Sequence, residues 1–253
     1  MTRIARLLIA GLLATATVTG CGGGAKPVNP FPTGDAGAPE PSGPGRSAEF
    51  VVSQAQFEQM FPDRDPFYDY DGLMRSIGSF PSFATTGDHA TRLREAAAFF
   101  ANIDHETDGL RVLVEANTAN YGNYCDAGKP YGCPAGNDAY FGRGPVQLSW
   151  NYNYRAAGDA LGLDLLTDPG VVARDEGVAW KTALWFWSTQ AAGTPQTAHG
   201  AMVGGAGFGA TIRVFNGEQE CDGHNPQQVR DRVDSYQRIT KLLGVAPGDN
   251  LSC

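Results

Sequence analysis

The stretch TRLREAAAFFANIDHE, residues 91–106, sets the architecture. Leu93, Ala97 and Phe100 recur at helical spacing, and Arg92, Arg94 and Glu95 are read onto the face turned to water, so the pattern predicts a helix. Glu106 stands at its end. Lying seven residues after Phe99 and three after Ile103, its carboxylate is expected along the edge of the apolar face. Asp108-Gly109 supplies the stop signal. Half-burial of such a group raises a carboxyl pKa.

Outward from this stretch, the same spacing predicts a helix over residues 176–190, dense in Trp180, Leu184, Phe186 and Trp187. Another is predicted over 225–243, with Val229, Val233, Tyr236 and Leu243 on one face. Strand signals are sparse and no internal repeat is visible. Glycine-rich loops, notably residues 200–209, are expected between the helices, giving a mainly helical domain with long functional loops. Trp180, Trp185 and Trp187 read as core, whereas Trp150 serves equally well as core or as a stacking platform for a ligand. Arg143, between two glycines, reads as a brace, because no proton transfer suits so basic a group.

The N-terminus carries Arg3 and Arg6 and then a short apolar run, too short and wrongly flanked to span a membrane. Residues 1–20 are read as an export signal. The run closes on Val18-Thr19-Gly20-Cys21, which resembles a bacterial lipoprotein box with Cys21 as the lipidated residue; an ordinary signal peptide cut nearby is the alternative. Residues 21–47 form the expected tether: from residue 22 onward half the positions are glycine or proline, with too little apolar surface to offset ordering entropy. Extended, that segment spans about 85–95 Å. Residues 48–253 suffice for one globular domain with a substantial core.

The formal charge is −8, and removing the two arginines of the signal takes it to −10. That disfavours nucleic acid and suits a neutral or cationic polymer. Of five cysteines, Cys21 is the natural odd one; Cys125, Cys133, Cys221 and Cys253 can form two bridges in an oxidising compartment, in three possible pairings.

Two elements suggest chemistry. Asp104-His105-Glu106-Thr107-Asp108-Gly109 contains His-Glu but no second histidine four residues after His105. None of the four histidines, His89, His105, His199 and His224, has convincing ligand spacing, so neither metal nor other cofactor is expected. Glu115 follows nine residues after Glu106, across the Asp108-Gly109 break. Two carboxylates flanking a turn can face one cleft, where glycoside cleavage needs one protonated carboxyl and one ionised carboxylate. On spacing alone, two solvated glutamates remain the simpler reading.

Residues 140–154, YFGRGPVQLSWNYNY, change that balance. The run resembles the signature of the family 19 glycoside hydrolases, Y-[YF]-G-R-G-P-[IV]-Q-L-S-x-N-x-N-Y, in chitinases of the bacterial and plant class IV-like kind. It follows a His-Glu-Thr element and a cysteine-flanked loop in the family's order, and the resemblance runs from about Val51 to Cys253. It implies a mainly α, lysozyme-like, two-lobed domain with a central substrate cleft and little β structure. It implies Glu106 as catalytic acid, Glu115 as catalytic base and Ser149 as a holder of the attacking water. His105, Gln147, Tyr152, Asn153 and Asn216 would bind sugar, the last within Phe215-Asn216-Gly217-Glu218-Gln219-Glu220-Cys221. Glu220 and Arg232 would form a charge network that keeps neighbouring carboxylates ionised and oriented. By the same comparison Cys125 would pair with Cys133 and Cys221 with Cys253.

The function so implied is endo-hydrolysis of β-1,4-linked N-acetylglucosamine polymers, chitin and its oligosaccharides, by an inverting acid/base mechanism, in a monomer exported and anchored to the membrane through Cys21. A peptidoglycan-cleaving hydrolase and a catalytically weak sugar-binding surface lipoprotein are the alternatives. Water-mediated inversion requires the two carboxyls to stand roughly 6.5–9.5 Å apart. Asn102 to Glu106 faintly echoes the Asp-x-Asp-x-Glu element of the unrelated family 18 chitinases, but that element needs a barrel strand where this stretch is rich in helix formers. Two departures from family 19 stand out. Asp108 places a negative charge near the proposed acid, tending to raise its pKa, and Arg111 and Val112 replace the aromatics that often precede the second glutamate.

Overall fold

A computed structural model describes residues 50–253. The signal, Cys21 and the tether expected over residues 1–47 lie outside the described residues.

Among the described residues eight α-helices follow one another: α1 Gln54–Met60, α2 Tyr70–Ile77, α3 His89–Thr107, α4 Asn151–Leu161, α5 Glu176–Thr189, α6 Ala198–Val203, α7 Phe208–Glu220 and α8 Pro226–Leu242. Two short 3-10 helices, Thr118–Tyr124 and Pro169–Ala173, lie in the connections. β structure among the described residues is limited to isolated bridges, Val114 with Arg143 and Arg143 with Leu148. The fold is mainly α, as the sequence implied.

α3 is the central element. Asp88 caps it, its side chain accepting from the Thr91 amide at 2.8 Å, which satisfies one of the orphan donors of the first turn. It ends where expected, on Asp108 in the left-handed region (φ 52°) and Gly109 (φ 75°). Between these ends Ala96, Ala97, Ala98, Phe99, Phe100 and Ala101 are all fully buried. The helix therefore has no wet side along this run, and one expectation fails: Glu95, assigned to water, is fully buried.

Around α3 the aromatics form a lattice. Phe100 meets Phe57 and Phe61 at 5.8 Å each, and Phe99 meets Phe83 at 4.8 Å and Trp187 at 5.6 Å. Such edge-on pairs add about 0.5–1.5 kcal/mol each to the burial of the rings. Trp180, Trp185 and Trp187 are core, as read. α8 packs along α3 and is pinned near its end, where Asp104 accepts from the Ser235 hydroxyl at 2.6 Å and pairs with Arg238 at 2.9 Å. That alignment sets Arg232 of α8 opposite Glu106.

The glycine-rich run 200–209 is not a loop throughout: its first part continues α6 and its last two residues open α7. Thr197 caps α6 through the Gly200 amide at 3.0 Å. Gly209 of α7 answers a packing demand. A Cβ on Gly209 would lie 2.1 Å from the Ser252 carbonyl oxygen, because the C-terminal tail runs against the helix and accepts the Gly209 amide at Asn250 (2.8 Å). Cys221–Cys253 ties that tail down, and Cys125–Cys133 closes the loop after the first 3-10 helix, matching the pairing the resemblance implied.

Candidate active site

Glu106 sits in the last turn of α3, 2% exposed, so it is fully buried where the sequence suggested the edge of a face. Its Oε1 accepts from Nη2 of Arg232. The same guanidinium donates from Nε to Glu220 Oε2 at 2.8 Å, from Nη2 to Glu220 Oε1 at 2.8 Å and from Nη1 to Asn102 Oδ1 at 3.1 Å. Glu220 reaches the node because α7 kinks at Asn216 (φ −142°, ψ 37°), whose Nδ2 donates to Glu220 Oε1 at 2.9 Å.

One buried cation thus faces two buried carboxyls, and both cannot be ionised without leaving a buried net charge. The carboxyls divide accordingly. Burial pushes the Glu106 acid up to about 7; Arg232 opposes this, and the charge of Glu220 adds to it. Burial works against ionised Glu220 too, but hydrogen bonds and charge from Arg232, with the Asn216 amide, prevail and hold it below the usual carboxylate range. Ionised Glu220 neutralises Arg232, leaving Glu106 as the group that keeps a proton near neutrality. Oε2 of Glu106 is buried and meets no protein hydrogen-bond partner. Asp108 does not share in this: it is exposed, its carboxylate paired with Arg111 at 2.7 Å, and the acid is raised by burial and Glu220 instead. His105 lies beside the node; burial and Arg232 press its pKa down to about 3, so the imidazole is neutral.

After α3 the chain reverses through Asp108, Gly109 and Leu110, all at positive φ, and the Arg111 and Val112 amides return to the Thr107 carbonyl. This delivers Glu115 to the signature segment, where its amide donates to the Gly142 carbonyl at 2.9 Å. Glu115 is 7% exposed; its Oε1 accepts from Asn120 Nδ2 at 2.8 Å and from the Tyr124 hydroxyl at 3.1 Å. Oε2 is buried and has no protein partner.

Residues 140–154 form a self-braced turn. Arg143 donates to the carbonyls of Ala139 and Phe141 and to the Tyr154 hydroxyl, and lies over the Phe141 ring at 3.6 Å, so it is the brace the sequence suggested. Gln147 (φ 47°) and Trp150 (φ 74°) hold conformations that cost L-residues energy and that persist where surrounding structure enforces them. Gln147 Nε2 donates to the Gly144 carbonyl, Ser149 Oγ to the Gln147 carbonyl at 2.8 Å and Asn153 Nδ2 to the Ser149 carbonyl at 2.9 Å. The Ser149 hydroxyl proton is thereby engaged, leaving its oxygen lone pairs as acceptors. Trp150 stacks on Tyr152 at 5.4 Å and meets Tyr124 edge-on.

The predicted residues therefore fall into two groups. Glu106, His105, Asn216, Glu220 and Arg232 gather where α3, α7 and α8 meet, and Glu115 gathers with the segment carrying Gln147, Ser149, Tyr152 and Asn153. A cavity of about 370 Å³ opens beside Asn216, lined also by Phe215, Arg213 and Asp222; neither catalytic candidate lines it. Asn216 Oδ1 is buried without a protein partner. Sequence reasoning missed Asn102, Asn120 and Tyr124. Asn102 carried a signal: an amide four residues before Glu106, within an apolar run, must find a buried partner.

A family model described as class I chitinase matches residues 51–253. An acidic endochitinase of Dioscorea japonica is 44% identical over 187 residues, which span 74% of this chain and 72% of that protein. Among solved structures, a bacterial family 19 chitinase is 62% identical with a TM-score of 0.79, covering 81% of this chain and 100% of that one. A family 19, class IV chitinase from Zea mays is 41% identical with a TM-score of 0.70, over 80% of this chain and 98% of that one.

Proposed function

Since the chain belongs to the family 19 chitinases, glycoside hydrolases of chitin, we propose that Glu106 is its general acid and Glu115 its general base in an inverting cleavage of β-1,4 N-acetylglucosamine linkages. The observation that carries this assignment is the Glu106 carboxyl, raised to about 7, with an unpartnered Oε2 and the ion pair of Arg232 and Glu220 behind it. Glu106 gives its proton to the glycosidic oxygen as the bond to the anomeric carbon breaks. Glu115 takes a proton from a water that attacks the opposite face, and Ser149 accepts a hydrogen bond from that water. The new carboxylate at Glu106 is met at once by Arg232. Protons then return through solvent, restoring acid and base. Gln147, Tyr152, Asn153, Asn216 and neutral His105 bind the sugar chain, and the enzyme acts as a monomer.

Colloidal chitin and purified peptidoglycan digested side by side test the substrate class. Soluble N-acetylglucosamine oligomers from chitin, with peptidoglycan left intact, are the expected outcome; release of muropeptides with chitin untouched would move the assignment to the cell-wall polymer.

We further propose that residues 1–20 direct export and that Cys21 carries a lipid holding the catalytic domain outside the cell on its tether. Cys21→Ser is expected to shift the protein from the membrane fraction to the medium with unchanged specific activity. Equal membrane retention of the variant would refute the anchor.

A further inference from the structure

The short 3-10 helix Thr118–Tyr124 begins three residues after Glu115 and folds back over it. Three of its side chains reach that one residue. Asn120 Nδ2 and the Tyr124 hydroxyl both donate to Oε1, at 2.8 and 3.1 Å, and the Tyr121 hydroxyl donates to the Glu115 backbone carbonyl at 2.9 Å. On the other side the Glu115 amide is held by the Gly142 carbonyl. Tyr121 is itself fixed, stacked on Phe141 with ring centroids 3.6 Å apart and planes within 11°.

The two oxygens of Glu115 are consequently unlike. Oε1 has two donors on it, while Oε2, equally buried, has none from the protein. Rotating the carboxylate plane by a quarter turn would strip both donors from their acceptor, so the plane, and with it the direction in which the second oxygen points, is set before any substrate arrives. Burial and the Glu115 charge hold the Tyr124 phenol well above its ordinary value, so it remains a donor at every working pH.

We infer that Asn120 and Tyr124 are positioning residues of the reaction: they engage Oε1 so that Oε2 alone addresses the attacking water, while Tyr121 fixes the backbone from which the carboxylate projects. This rests on the reading of Glu115 as the base. No recognisable motif marks these residues, and the dense local hydrogen bonding is what assigns the role. The bridge Cys125–Cys133 starts on the residue after Tyr124, and Asn151 ties the same loop by accepting from the Asp126 amide and donating to the Asp126 and Gly132 carbonyls. The helix that orients the base is thus anchored at its C-terminal end to the start of α4.

Four variants, Asn120→Ala, Tyr124→Phe, their double and Glu115→Gln, assayed on a chitin hexamer, test the inference. Each single variant is expected to lower kcat roughly tenfold and the double about a hundredfold, the scale of a misplaced catalytic group, with KM within about twofold of wild type. The split is the signature: turnover falls while KM and melting temperature stay near wild type, which a merely structural role would not give. If Glu115→Gln loses turnover while the double keeps wild-type kcat, the positioning role is overturned. It is equally overturned if the double loses thermal stability and raises KM with kcat unchanged, since the residues then only fold the loop; Tyr124→Phe, which removes a single hydroxyl, keeps the test readable if the double fails to fold. Full turnover by Glu115→Gln would instead sink the assignment of the base itself.

Discussion

Helix α3 carries two buried glutamates eleven residues apart, and their surroundings differ in kind. Both oxygens of Glu95 are engaged: Oε1 lies 2.7 Å from His199 Nδ1 and accepts from Trp187 Nε1 at 3.0 Å, and Oε2 accepts from the Ala84 amide at 3.1 Å. These partners come from α6, α5 and the segment preceding α3. Glu106 has one oxygen on Arg232 and one with no protein partner. Burial is common to both, so burial alone does not mark a reactive carboxyl. An unpartnered oxygen beside an ion pair already neutralised by another carboxylate does.

The contrast is broken most severely if the two residues respond alike to substitution. Glu106→Gln is expected to lower kcat on chitin oligosaccharides about a thousandfold, within the usual range for loss of a general acid. Its melting temperature at pH 6 should stay near wild type, because glutamine mimics the protonated form that Glu106 favours there. Glu95→Ala is expected to do the reverse. It strands donors from three elements and should cost roughly 3 kcal/mol of stability by denaturant titration, while activity per folded molecule persists. A stable, inactive Glu95→Ala would erase the distinction.

A smaller effect sharpens it. The hydrogen bond to Glu95 raises the His199 pKa, burial opposing and the Glu95 charge adding. A histidine raised on folding contributes stability that is fully present below its unfolded pKa, near 6.5, and is lost as pH rises through its folded value. The stability gap between wild type and His199→Gln should therefore be widest below about pH 6 and narrow towards pH 8. Activity should depend on pH in a different place, falling as pH rises past about 7, where Glu106 loses its proton. Chemical denaturation and initial rates measured over the same buffers separate the two. A gap that widened with pH would remove the His199–Glu95 pair from the account.

The sequence made some of this legible and concealed the rest for physical reasons. α3, α5 and α8 are readable because long helices repeat their apolar spacing, and α3 also ends on a recognisable stop at Asp108-Gly109. Glu95 was misplaced because a periodicity reading assumes one wet face; six consecutive residues from Ala96 to Ala101, all alanine or phenylalanine, are the mark of a helix buried all round. Residues 200–209 read as loop because glycine is a poor helix former, whereas at Gly209 it admits the C-terminal tail against α7. The motif in residues 140–154 pointed to Glu115, but Asn120 and Tyr124 lie in a turn without periodicity, where only coordinates show which donors converge.

The measurement that tests the two-carboxylate mechanism most directly is the anomeric form of the first product. A chitin hexamer is hydrolysed and followed by NMR before mutarotation. With Glu106 as acid and a water activated by Glu115 attacking from the opposite face, the new reducing end appears as the α-anomer. A β-anomer would contradict this account, because it requires the configuration to be retained, as when the substrate's own acetamide attacks in place of water.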